Sequence, residues 1–297
     1  MSKTLYIINP AGNGGAGPRI WGQFKELWTG PIDEKDVFMT KYPGHATEIA
    51  KDAKGYDIIV AVGGDGTVNE VMTGTLNNPE KPALALLPAG TGNDIGRNVG
   101  IKSLNHAVEA LKKSKPKKYD ILEVEYGKVK KYSFLCIGFG MSANHRVRPW
   151  MKKYLGAAMG YYLATFLELI LFKPWNMTIK WDGGKYKDRT TFVIVANVEK
   201  TSGGSMMLGP GAKPTDGMMT VTIVPFKSKF NCFFKEFPKL PKGKVTAIPG
   251  VRFFRTKKIK IVSTPRTDMD IDGDPIGTTP ATVKILPKKI KIISLVK

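Results

Sequence analysis

The stretch Tyr56–Glu70, YDIIVAVGGDGTVNE, constrains this chain more than any other. An apolar run, Asp57–Val62, has the composition of a buried strand and leads directly into Gly63-Gly64-Asp65-Gly66-Thr67. A helix is expected from Val68. Glycines let backbone N–H groups approach an anion closely and adopt turn geometry that other residues resist. A helix start adds unpaired N–H donors and a partial positive charge. Asp65 then puts a carboxylate where a phosphate belongs. That pairing makes sense if a metal lies between the two, or if Asp65 handles a proton during phosphoryl transfer.

The surrounding pattern repeats this unit. Thr4–Asn9, Val37–Thr40, Asp57–Val62 and Ala83–Leu87 read as strands, and Ile20–Trp28, Ala46–Ala53, Val68–Leu76 and Leu104–Lys112 as helices. Strands alternating with helices imply a parallel sheet covered on both faces, with ligands beyond the carboxyl ends of the strands. The basic run Lys112–Lys118, KKSKPKK, reads as a linker. Beyond it, Ile121–Glu125, Tyr132–Ile137, Met177–Trp181, Thr191–Ala196, Met219–Val224, Lys257–Val262, Thr267–Ile271 and Ala281–Leu295 are strand-like, most of them separated by turn residues. The expectation is an α/β domain over residues 1–120 and a β-rich domain over 121–297. A helical insertion falls near 150–172, and the last strand is a candidate to return to the first domain.

The 297 residues carry 46 Lys and Arg against 25 Asp and Glu, a formal net charge of +21. Such a field attracts polyanions: nucleotides, nucleic acid or an anionic membrane surface. At 42% hydrophobic residues the chain is globular rather than disordered. Cys136 and Cys232 stand far apart among apolar neighbours and read as small buried hydrophobes, not as a disulfide or metal site. No signal peptide is evident, so a cytoplasmic location is expected. The apolar stretch Tyr154–Phe172 contains Glu168 and is expected to be a core or lip helix rather than a membrane span.

Three glycine-rich turns each follow an apolar strand: Asn9–Gly17, Gly63–Thr67 and Pro88–Asp94. Together they could wrap a triphosphate. Residues 12–17 formally match G-x-G-x-x-G, but Thr40-Lys41 stands where a dinucleotide site requires an acid. No P-loop sequence occurs.

With Asn9-Pro10 and its glycines, Gly63–Glu70, Pro88–Asp94, Pro214-Thr215-Asp216-Gly217 and Asp272-Gly273-Asp274 in order, the chain resembles the diacylglycerol kinase and sphingosine kinase catalytic-domain family. It is most similar to the soluble bacterial-type lipid kinases. The resemblance implies a phosphofructokinase-like nucleotide-binding α/β domain followed by a β-sandwich-like domain. It implies transfer of the ATP γ-phosphoryl group to a lipid hydroxyl, with Mg²⁺. It would place ATP on Asn9, Pro10, Ala11, Gly12, Asn13, Thr40, Gly64, Asp65, Gly66, Thr67, Val68, Asn69, Glu70 and Thr91. Mg²⁺ would sit on Asp216 with the main-chain carbonyls of Lys213 and Met218. The general base would be Asp272 or Asp274, where the family usually has Glu at the second position, and Asp65 would organise phosphates or metal.

Phosphoryl transfer asks a protein mainly for positioning and charge neutralisation, so the residue types suit the chemistry. Each assignment has a structural rival: Asp65 as a helix cap, Asp216 as a turn former, Asp272-Gly273 as a hairpin turn, Thr40 as a strand end. His45 reads as a capping or packing residue. Lysines 227, 229, 235, 239, 242 and 244 interleave with Phe226, Phe230, Phe233, Phe234 and Phe237, which suits anionic headgroups, nucleic acid or a merely solvated surface. For a lipid kinase the expected partners are a lipid substrate and, peripherally, an anionic membrane, not nucleic acid; a homodimer is compatible. The rivals are an NAD kinase or sugar-phosphate kinase of related fold, and a non-catalytic nucleotide- or nucleic-acid-binding protein.

Overall fold

Parallel pairing organises the first of two structural units, which comprises Met1–Ile121, Ser202–Gly204 and Pro287–Lys297. The computed structural model describes residues 2–141, 173–240 and 242–296. The insertion near 150–172, the stretch Tyr154–Phe172 and His145 lie outside the described residues. Strand β1 (Thr4–Ile8) pairs with β2 (Val37–Met39) and β3 (Ile58–Gly63), and β3 pairs with β4 (Ala83–Pro88), all parallel. The strands read as continuous apolar runs because both faces are covered: Ile7, Ile8, Ile59, Val60 and Leu84 are wholly buried. Helix α1 (Ala16–Leu27) presents Trp21 and Phe24 to Tyr6, with ring centroids 4.8 and 5.9 Å away. Helices α2 (His45–Asp52), α3 (Asp65–Asn77), α4 (Asp94–Asn98) and α5 (Leu104–Lys113) complete the alternation.

Two helices begin a turn or nearly a turn earlier than periodicity predicts. Helix α1 starts at Ala16 rather than Ile20, because Pro18 falls in the first turn, where a missing N–H costs nothing. Helix α3 starts at Asp65 rather than Val68, so Gly66 and Thr67 are helical and Asp65 lies at the positive end of the helix. The run Lys112–Lys118 is not a linker. Helix α5 continues to Lys113, and strand β5 (Pro116–Tyr126) begins three residues later, its backbone ordered by pairing with β17 (Ala281–Ile293).

The second unit, Leu122–Thr201 and Ser205–Leu286, is antiparallel. Its elements are β6 (Val129–Ser133), β7 (Cys136–Gly140), β8 (Trp175–Trp181), β9 (Gly184–Ala196), β10 (Lys200–Thr201), β11 (Met206–Met207), β12 (Met219–Pro225), β13 (Arg252–Thr256), β14 (Lys258–Thr264), β15 (Asp268–Ile271) and β16 (Asp274–Thr278). The main order is β16-β15-β7-β9-β8-β14-β17, with β12 on β9, β13 on β12 and β6 on β5. A core of Ile137, Phe139, Met177, Val193, Val221, Ile261 and Met269, among others, gives the β-sandwich-like domain its interior. The single strand expected over Tyr132–Ile137 is two. It breaks at Phe134-Leu135, where the Asp272 carboxylate accepts from Ser133 Oγ (2.7 Å) and the Cys136 N–H (2.9 Å). Both cysteines are buried and neither forms a disulfide.

Candidate functional site

The carboxyl ends of β1, β3 and β4 carry the three glycine turns, and side chains lock each turn to the next. Asn9 Oδ1 accepts from the N–H groups of Ala11 and Gly12, and its Nδ2 donates to Thr67 Oγ1 at 2.9 Å. Asn13 Nδ2 donates to the Ala89 carbonyl, and Thr91 Oγ1 donates to Asn13 Oδ1. Asn93, in the left-handed conformation, closes the third turn with both amide atoms on Gly90. The second and third turns meet backbone to backbone: a Cβ on Gly90 would stand 2.5 Å from Gly64 Cα. Only glycine permits that approach.

Helix α3 therefore begins at the centre of this arrangement. The N–H groups of Asp65, Gly66 and Thr67 have no intrahelical acceptor, because the first helical bond is Val68 N–H to the Gly64 carbonyl. Asp65 Oδ1 accepts from Ile95 N–H at 2.9 Å, which caps α4. Asn69 Oδ1 is buried without a hydrogen-bond partner among the described residues. Val68 is buried core. Glu70 Oε1 accepts from Gly44 N–H at the start of α2, and Thr40 N–H donates to the Ile8 carbonyl at the end of β2. His45 Nδ1 accepts from Lys41 N–H, and its ring stacks on Tyr42.

A second carboxylate joins Asp65. Asp94 is buried, its Oδ1 accepting from Gly203 N–H at 2.8 Å. Burial first, and then the Asp65 charge, push its carboxyl above the usual range, against the pull of the N–H groups of Gly203, Ser202 and Gly204. The two acids flank Gly92: a Cβ there would lie 3.3 Å from Asp65 Oδ2 and 3.5 Å from Asp94 Oδ2. Sequence reasoning quoted Asp94 within a motif and gave it no role. The N–H donors that hold it come from a segment more than a hundred residues away, which no local pattern reveals. Arg97, also not anticipated, is exposed on α4 with its Nε donating to the Gly92 carbonyl.

The remaining candidates belong to the second unit. Asp272 and Gly273 are the two-residue loop of the β15–β16 hairpin, with φ of 52° and 95° at the two positions and Ile271 opposite Asp274. Asp272 Oδ1 takes two hydrogen bonds and its Oδ2 is shielded from solvent, whereas Asp274 is exposed. Asp216 Oδ1 accepts from Met218 N–H, and its Oδ2 meets the Arg255 guanidinium at 2.5 Å. Among the described residues no cluster of three His, Cys, Asp or Glu side chains has metal-binding geometry. Two carboxylates converging on a glycine nonetheless fit Mg²⁺, which commonly takes one or two carboxylates plus phosphate oxygens. Asp216, facing a guanidinium, fits less well.

Residues 3–124 match the family described as the diacylglycerol kinase catalytic domain, and residues 135–294 match the YegS C-terminal NAD kinase beta sandwich-like domain. A diacylglycerol kinase of Staphylococcus aureus is 28% identical over 88% of this chain and 82% of its own length. A diacylglycerol kinase structure from Bacillus anthracis superposes with a TM-score of 0.72 at 22% identity, covering 99% of this chain and 97% of that one. An NAD kinase from Archaeoglobus fulgidus, solved in complex with ATP, shares the fold at a TM-score of 0.50 and 14% identity, covering 97% and 92%.

Proposed function

Because the chain belongs to the kinase family that joins a diacylglycerol kinase catalytic domain to a YegS-type C-terminal domain, we propose that it transfers the γ-phosphoryl group of ATP to a lipid hydroxyl. The observation that carries this reading is the start of α3. Three N–H groups without intrahelical acceptors lie beside a glycine–glycine backbone contact and a pair of carboxylates. Phosphate oxygens would accept from the N–H groups of Asp65, Gly66 and Thr67, in a helix N-terminal field that favours negative charge. The N–H groups of Ala11 and Gly12 are already taken by Asn9, so the first turn acts as a brace for the second.

Asp65 and Asp94 are the residues that would hold Mg²⁺, which when bound draws charge from the phosphate oxygens. The set of Lys213 and Met218 carbonyls with Asp216 would take a cation only if Asp216 turned from Arg255. The lipid hydroxyl is a poor nucleophile and needs a carboxylate to accept its proton. Of the two candidates, Asp274 has a carboxylate open to solvent. Asp272 has its Oδ1 engaged by Ser133 and Cys136, which gives it a positioning task. Thr40, Asn69, Glu70 and Thr91 stay in the nucleotide-binding set, with Glu70 acting through the α2 start that it caps.

The test is phosphoryl transfer from ATP to diacylglycerol, a sphingoid base, phosphatidylglycerol, NAD and a sugar phosphate, each with and without Mg²⁺. Lipid phosphorylation that is abolished by Asp65→Asn supports the reading. Turnover with NAD or a sugar phosphate and none with any lipid overturns it, as does near-normal turnover in Asp65→Asn.

A further inference from the structure

The segment that follows β12 is wound with its polarity reversed for water. Residues Lys229–Lys239 form successive helical turns, opened by Ser228, whose Oγ accepts from Asn231 N–H at 3.1 Å. Cys232 and Glu236, four residues apart, face inward and are 1% and 3% exposed. Phe230 and Phe234, also four residues apart, face outward and are 64% and 61% exposed, with ring centroids 4.7 Å apart. A surface helix in water places its rings inside and its carboxylates outside. Here an acid is buried so that two rings can stay out. The arrangement is unfavourable for the acid: burial pushes the Glu236 carboxyl above its usual range, and its Oε2 has no hydrogen-bond partner among the described residues.

The charges around the rings have one sign. Lys227, Lys229, Lys235, Lys242 and Lys244 are exposed, while Lys239 donates to the Ala247 carbonyl. Between Lys227 and Lys244 the sequence holds a single acid, the buried Glu236. An apolar wedge ringed by cations matches an anionic bilayer surface, where rings enter the acyl boundary and lysines meet lipid phosphates. Single-stranded nucleic acid is a poorer match, because base stacking needs free ring faces and these two rings lean on each other.

We propose that Phe230 and Phe234 form a wedge by which this chain docks on anionic lipid bilayers, with the surrounding lysines as its electrostatic collar. This deepens the lipid-kinase reading and rests on it for its purpose, since a lipid substrate lies in a bilayer. The experiment measures binding without ATP. The whole protein and its Phe230→Ser/Phe234→Ser variant are sedimented with vesicles of phosphatidylcholine alone or mixed with phosphatidylglycerol.

The expected result is binding to the mixed vesicles that weakens about tenfold or more in the variant, from the lost burial of two rings. In parallel, Phe230→Trp should shift its emission to the blue on adding mixed vesicles. Unchanged binding by the variant, or unshifted tryptophan emission, overturns the proposal. So does a variant that keeps vesicle binding and loses affinity for a single-stranded oligonucleotide. Turnover on detergent-dispersed diacylglycerol separates the two readings: a protein that binds vesicles through these rings but phosphorylates no lipid sinks the kinase and leaves the wedge standing.

Discussion

Gly92 stands where one methyl group would change the most chemistry. Its missing Cβ leaves open the space between Asp65 and Asp94, and an alanine there would crowd Asp65 Oδ2 at 3.3 Å and touch Asp94 Oδ2 at 3.5 Å. The crowded atoms are side-chain oxygens, so the fold can absorb the change while the carboxylate pair cannot stay in place. Gly92→Ala should therefore melt near the parent temperature, lose roughly 10- to 100-fold in turnover, and need more Mg²⁺ for half-maximal rate. Parent-like Mg²⁺ dependence would show that the acids do not share a cation. Asp94 supplies a second prediction. A carboxylate held above its ordinary range binds protons more tightly in the folded chain, so stability falls as pH rises through that window and the loss is complete above it. Asp94→Asn should thus be more stable than the parent at neutral pH, with the gain shrinking as the carboxylate range is crossed downward, while turnover falls. Thermal melts across that range check the sign. At this scale the sequence showed which residue types gather, as at Asp65 and Asn9, and could not show how they are engaged. Glu70, Asp216 and Asp272 read as candidate site residues, and their engagement by the Gly44 N–H, the Arg255 guanidinium and the Ser133–Cys136 break was not legible there.

Periodicity located most elements, and its failures have physical causes. Helix starts were misjudged where a glycine or proline occupies the first turn, because composition there resembles a loop although a first turn tolerates both. Helix α4, of five residues, is too short to show a period. Strand β13, RFFRT, alternates poorly, and β5 begins among lysines that only its partner strand orders. That β5–β17 ladder carries an ion-pair group. Lys284 Nζ on β17 lies 2.7 Å from Glu123 and 3.4 Å from Glu125 on β5, and Lys130 lies 2.9 Å from Glu125. Glu123 is nearly buried, so removing Lys284 leaves a desolvated charge with only the Lys130 charge to offset it. Lys284→Met should lower stability by about 2 kcal/mol, the cost of breaking a buried pair discounted for the part-exposed lysine. Adding Glu123→Gln should recover much of that loss. Denaturant unfolding of the two variants checks it; if Lys284→Met unfolds at the parent midpoint, the pair is only a surface contact.

The whole molecule carries a net charge of +21, and the sequence announced that before any element was placed. Charge alone does not choose among polyanions. The choice comes from what accompanies it: a kinase family, a helix start whose first N–H groups lack intrahelical acceptors, and two outward-facing rings among lysines. Among the described residues no helix is long and apolar enough to cross a membrane. Peripheral attraction between exposed charges is screened, with a Debye length of about 10 Å at 0.1 M salt and about 3 Å at 1 M. Turnover on anionic vesicles should accordingly fall steeply over that range. ATP is itself an anion, and weaker nucleotide binding would mimic the effect, so the measurement belongs at saturating ATP. Under that condition the same diacylglycerol dispersed in uncharged detergent micelles should show little response to salt. An equal fall on vesicles and micelles would place the sensitivity in the nucleotide site or the chemistry, and would leave the excess charge without a role in reaching the substrate.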